Sequence, residues 1–188
     1  MCLKNKYLKI ILQDLSKDDK GNSIHISRKR ALELRKEGQV DTKGEWTVFA
    51  QVSRELRKNK FHGMHINSQN KRAWFVKFIG EAALDDGGLF RESITELCSE
   101  LQSTALELFI PSANQVSKIG DNRDKWVLNP QANSDMHLKM YEFVGSLFGM
   151  CVRSGILLNL NLAPIFWKTL TKDPLTVGDI KDVDLKFV

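Results

Sequence analysis

Three features of this 188-residue chain could do chemistry by residue type and spacing. Cys2, Cys98 and Cys151 each carry a thiol, and a thiolate is a good nucleophile and leaving group near neutral pH. His62 and His65 form an H-x-x-H pair that could lend two nitrogens to a metal ion. Gly80-Glu81-Ala82-Ala83-Leu84-Asp85-Asp86-Gly87-Gly88 lies between a strand pattern and a helix pattern, where a phosphate loop would lie. The neighbours of each feature argue against the chemistry. Cys98 falls inside the stripe Phe90, Ile94, Leu97, Cys98 and Leu101, so a small buried hydrophobe is favoured over a nucleophile. Cys151 sits deepest in apolar surroundings. No cysteine or carboxylate follows His65 at ligand spacing. Asp85 and Asp86 place negative charge where an anion would bind, and no Lys-Ser/Thr pair follows the glycines. The acidic pair instead complements the helix dipole. No catalytic, cofactor-binding or metal-ligating residue is therefore assigned, and no cofactor is expected.

The element that must organise such residues is Tyr141 to Trp167. Met140, Tyr141, Phe143, Val144, Leu147, Phe148, Met150, Cys151 and Val152 cover nearly the whole circumference of a helix, which predicts burial on all sides. Gly145 and Gly149 share one face, and glycine costs a helix interior about 1 kcal/mol relative to alanine, so close approach by a neighbour is expected there. Gly155 ends the helix, and Ala163-Pro164 starts another with an apolar stripe of Phe166, Trp167 and Leu170. A membrane span needs ~20 largely apolar residues. Glu142 and Arg153 bound this run to ten, which excludes one.

Around this centre the expected class is α+β, mainly helical, with short strands around a buried central helix. Leu3, Tyr7, Ile10, Ile11 and Leu15 predict an amphipathic helix, followed by the polar loop Lys17 to Ser23. Ile24-His25-Ile26 predicts a short strand. Ser27 is a candidate cap for a charged helix stopped by Gly38. Gln39 to Trp46 reads as a connection. Thr47 caps a helix with Val48, Phe49, Val52 and Leu56 on one face. Trp74 to Ile79 is the best strand, apolar on both faces and so expected to be covered on both. Phe109 to Asn129 reads as a long connection, with a short strand at Trp126 to Leu128. Ser134 or Asp135 caps the central helix. Thr176 and Asp179 form a capping-box-like start near the end.

The apolar content of 42% and charged content of 27% are those of an ordinary globular domain. Tyr7 to Leu12 is too short and too interrupted by Lys9 for a signal peptide. Three scattered cysteines give no disulfide framework, which fits a reducing compartment, cytoplasmic or nuclear. The net charge of +5 is uneven: residues 1–72 hold 17 Lys+Arg against 8 Asp+Glu, and residues 73–188 hold 11 against 15. Solvated helix faces are favoured over an anionic partner, because the positives are spread over several segments.

A series of short motifs then appears in order. Gly80-Glu81 is followed by Asp85-x-Gly87-Gly88 and Arg91-Glu92, then by Leu128-Asn129-Pro130 and His137-Leu138. Phe143-Val144-Gly145-x-x-x-Gly149 and Gly155-Ile156-Leu157-Leu158 come next. Ala163-Pro164-x-Phe166-Trp167-Lys168 and Leu175-Thr176-x-x-Asp179-Ile180-x-x-Val183-Asp184 close the series. This order over residues 74–188 resembles the first part of the N-terminal lobe of a HECT-type ubiquitin ligase, with Ile24 to Arg28 similar to its entry strand. The domain division so implied is 1–23, a helix and polar loop, and 24–188, a partial HECT domain. Residues 1–22 lie at or beyond its edge.

The resemblance implies a two-step transfer. A conjugating enzyme hands ubiquitin to a ligase cysteine as a thioester, and the ligase passes it to a substrate lysine. In the family that cysteine lies in a C-terminal lobe, and the subdomain that docks the conjugating enzyme also follows the segment matched here. This chain is then expected to be a scaffold, inactive alone, with neither Cys98 nor Cys151 in the carrier position. Some relatives bind ubiquitin non-covalently near the segment corresponding to Asp121–Trp126, although Trp126 itself is favoured as core. The expected partners are ubiquitin, a conjugating enzyme and protein substrates, with no membrane. A non-catalytic module that binds ubiquitin or a ligase is the alternative. Nucleic-acid binding through the basic first 72 residues is disfavoured, since Tyr7, Trp46, Phe49 and Phe61 form no stacking platform.

Overall fold

The computed structural model describes residues 23–61, 64, 72–81 and 87–188. The helix expected over Leu3–Leu15, most of its polar loop, the His62/His65 pair and the Asp85-Asp86 pair lie outside the described residues. The chain order is β1 (Ser23–Ile26), α1 (Arg28–Lys36), α2 (Val48–Lys58), β2 (Phe75–Phe78), α3 (Gly88–Leu101), β3 (Phe109–Pro111), α4 (Ala113–Ser117), β4 (Trp126–Leu128), α5 (Asp135–Ser154), α6 (Pro164–Thr171) and α7 (Val177–Lys181). This is the α+β, mainly helical class expected.

β1 and β2 pair in parallel, Ser23 opposite Phe75 and Ile26 opposite Phe78. Parallel neighbours need a crossover, and α1 and α2 supply it. Ile24, Ile26, Val76 and Phe78 point into the core beside the buried Trp74. The other face does not match the expectation of double cover: Phe75 is half-buried, Lys77 is exposed and Ile79 is 55% exposed. An apolar letter on the outer face reports composition, whereas cover requires a second layer that no described element provides.

α2 buries Val48, Phe49, Val52 and Leu56 as its spacing predicts, and Thr47 Oγ1 accepts from Ala50 N at its start. α3 buries Phe90, Ile94, Leu97, Cys98 and Leu101. Ser27 precedes α1 but makes no side-chain cap; its own N–H instead donates to Gln51 Oε1 at 2.8 Å. Residues 109–129 are more structured than a connection. β3 pairs antiparallel with β4, and Ser112 caps the five-residue α4 between them.

α5 is the longest described helix, with 20 residues, and so runs about 30 Å. Ser134 Oγ caps it by accepting from His137 N, and Gly155 ends it at φ 69°, a left-handed conformation that glycine adopts without strain. Met140, Phe143, Val144, Leu147, Met150, Cys151 and Ser154 form its buried face. Burial on all sides does not occur: Val152 is 85% exposed, and a Cβ built on Gly145 meets nothing within 4 Å. At Gly149 only the Arg153 side chain comes within that range. The two glycines are therefore not close-packing positions among the described residues. Likewise α6 buries none of its residues; Phe166 packs against Phe109 and Phe148, while Trp167 and Leu170 remain 43% and 61% exposed.

Candidate functional site

The two described cysteines are placed where their thiols cannot readily ionise. Cys98 faces inward from α3 and Cys151 from α5, both free and both buried. Burial pushes the Cys98 thiol up to about 11 and the Cys151 thiol up to about 12. A thiol in that state is a poor nucleophile near neutral pH. Among the described residues no group of three or more His, Cys, Asp and Glu side chains could hold a metal ion.

The motif residues instead meet as joints. Arg28, at the start of α1, reaches Glu81 after β2 and Glu92 on α3. Its Nε donates to Glu81 Oε1 at 2.7 Å, and its guanidinium stands 4.1 Å from the centre of the Phe78 ring. The hydrogen bond to Glu81 raises the affinity of the guanidinium for its proton, and the same bond lowers the Glu81 carboxyl. Three motifs distant in sequence thus share one cation. Asn129, before Pro130, donates its side-chain amide to Glu107 O at 2.8 Å and its backbone N–H to Leu108 O at 3.0 Å. Asp179 closes the capping box with Thr176 and pairs with Lys168 Nζ at 2.6 Å, fastening α7 to α6. Asn114 ties α4 to the chain's last segment, donating to Lys181 O at 2.8 Å and accepting from Leu185 N at 2.8 Å.

A second set of buried polar groups holds the start of α2, and nothing in residue spacing marked it. Asp41 accepts from the backbone N–H groups of Glu45, Trp46 and Thr47 and from the Thr47 hydroxyl, at 2.8–3.0 Å. Glu100, near the end of α3, accepts from Val48 N at 2.9 Å and Phe49 N at 2.7 Å. A carboxylate facing two amides could have been found only by asking who satisfies the free N–H groups of α2.

The segment Asp121–Trp126 leads into β4, with Asp121, Arg123 and Asp124 exposed. Ser112 N donates to Lys125 O at 2.9 Å, Trp126 N donates to Asn161 O at 2.8 Å and Ala163 N donates to Trp126 O at 2.9 Å. The Trp126 ring is half-buried against the core. Ile110, Val116, Ile119 and Leu128 are exposed on the same β3–α4–β4 unit. Of the basic residues between 23 and 61, Arg28, Arg35, Arg57 and Lys58 are engaged with glutamates, so they do not form one unbroken cationic face.

Among the described residues no helix is long and apolar enough to cross a membrane. Among the described residues the arrangement positions backbone and buries the Cys98 and Cys151 thiols. Comparison with known proteins identifies the series to which such a scaffold is similar. The family model described as HECT-domain (ubiquitin-transferase) matches residues 95–188. The chain is 36% identical over 167 residues to the E3 ubiquitin-protein ligase HERC2 of Mus musculus and to that of Homo sapiens, covering 89% of the chain and 3% of each relative. It is 32% identical over 114 residues to the probable E3 ubiquitin-protein ligase HECTD4 of Homo sapiens, covering 60% of the chain and 3% of that protein. The chain thus spans about 3% of the length of these relatives.

Proposed function

The chain belongs to the HECT-domain (ubiquitin-transferase) family, and from that premise we propose that residues 24–188 form the scaffold half of the N-terminal lobe of a ubiquitin ligase. The observation that carries this reading is the family match over residues 95–188, together with alignments to ligases that extend over most of the chain. The parent activity is transfer of ubiquitin from a conjugating enzyme to a ligase cysteine, and from there to a substrate lysine. The buried, hard-to-ionise Cys98 and Cys151 support a scaffold role for this segment, with the carrier cysteine in another part of the domain. The partners so implied are ubiquitin, a conjugating enzyme and protein substrates, and the compartment is cytoplasmic or nuclear. The test is to incubate the full-length protein containing this segment with activating enzyme, conjugating enzyme and ubiquitin. A ubiquitin adduct that thiol reductant removes is expected; a folded full-length protein that forms none contradicts the proposal.

A second reading, a module that binds ubiquitin without catalysis, is favoured by the exposed Ile110 and Leu128 beside Asp121–Trp126. It predicts that unlabelled ubiquitin added to the isotope-labelled 188-residue chain perturbs the amide signals of residues 110–128. Unchanged signals at millimolar ubiquitin contradict it.

A further inference from the structure

Glu100 is 1% exposed and lies at the junction of α1, α2 and α3. Its two oxygens each accept one N–H from the first turn of α2. Among the described residues no cation forms an ion pair with it; Arg35, which lines the same cavity, pairs with Glu96 at 3.6 Å. A buried carboxylate without a counter-ion carries a large desolvation cost, which hydrogen bonds offset only in part. Glu100 also lines a surface cavity of about 410 Å³ between α1 and α3. That cavity gives a proton a route to the carboxyl without unfolding.

We propose that Glu100 is a proton-sensitive joint between α2 and α3: as a carboxylate buried beside the α1–α3 cavity it holds both amides of the α2 start, and uptake of a proton loosens that hold. The groups that face it are mixed in sign. From α1, Arg35, Lys29 and Arg28 line the same cavity, and from the turn after β2 comes Glu81. From its own helix comes Glu96. The first turn of α2 holds no acidic residue, and Asp41 below it is occupied by Thr47 and the preceding amides. Burial is the largest influence and raises the Glu100 carboxyl to about 7; the Phe49 and Val48 amides and Arg35 pull it down, and Glu96 pushes it up. Protonation converts one acceptor oxygen into a hydroxyl, which weakens one of the two amide contacts. The joint therefore exchanges an amide contact for relief from burying a charge.

The sign of the linkage follows. Above pH about 7 the carboxyl is ionised in both folded and unfolded chains, and the folded one bears the full burial cost. As pH falls from about 7 towards the ordinary glutamate value of 4.5, only the folded chain gains the proton, so folding is favoured increasingly. Below that the contribution is constant.

This inference does not depend on the ubiquitin-ligase reading, and its test uses no ubiquitin. In the 188-residue chain, the side-chain carboxyl ¹³C signal of Glu100, assigned by its loss in Glu100→Gln, is expected to titrate near pH 7. The Val48 and Phe49 amide signals of the unsubstituted chain should move with the same midpoint, a readout that needs no variant to fold. A midpoint below about 5, or amide signals that do not titrate between pH 5 and 8, overturns the proposal. In denaturant unfolding between pH 7 and pH 5, the folding constant of the unsubstituted chain should rise by up to about tenfold per pH unit relative to Glu100→Gln. Equal slopes for the two chains also overturn it.

Discussion

Asp179 and Glu100 are two buried carboxylates with opposite fates. Asp179 has Lys168 Nζ at 2.6 Å and the Thr176 hydroxyl and backbone N–H at 2.8 Å each. These hold its carboxyl down to about 2, with the Lys168 contact the largest cause. Glu100 has amides but, among the described residues, no ion-paired cation, and moves the other way. For Asp179 the folded value lies below the ordinary 3.8, so its contribution is present above that value and is lost as pH falls through about 2. Acid unfolding followed by circular dichroism should therefore show the unsubstituted chain losing stability between pH 4 and 2 more steeply than Asp179→Asn. Parallel curves would contradict the assignment. Neither carboxylate's fate was legible in the sequence. Thr176-x-x-Asp179 announced a capping box but not the lysine, which arrives from α6. Glu100, between Ser99 and Leu101, looks like any solvated glutamate, because one polar residue carries no record of which distant amides need an acceptor.

At the scale of elements, periodicity was a sound guide wherever one face is buried and the other wet. The stripes on α2 and α3 came through residue for residue. It misled on α5, because an apolar residue reports a preference and not a neighbour. Val152 is exposed although apolar, and Gly145 has open space where close packing was expected. β3 and α4 were missed because three and five residues are too few to set up a period. The α5 correction is testable. If Gly145 faces open space, Gly145→Ala meets no steric obstacle and should stabilise the helix by about 1 kcal/mol. A raised urea midpoint in the 188-residue chain is expected, and a lowered one would restore the close-packing reading.

At the scale of the whole molecule, the motifs that mark the family prove to be fasteners. Arg28 draws together the strand entry, Gly80-Glu81 and Arg91-Glu92; Asn129 staples its turn to residues 107–108; Asp179 locks the two last helices. Their spacing was readable because each must reach a fixed partner, even though the partners were not. The same logic explains why a segment of a transferase family holds Cys98 and Cys151 inside. Cys98 and Cys151 fill space between α3, α5 and the core, and a carrier of ubiquitin needs an accessible thiolate. The most direct measurement is to trap the ubiquitin adduct of the full-length protein without reductant and map the modified cysteine by mass spectrometry. The account predicts an adduct on a cysteine other than Cys98 and Cys151, undiminished in a folded Cys98→Ala/Cys151→Ala variant. An adduct mapped to either of those two, or lost from the folded double variant, would contradict it.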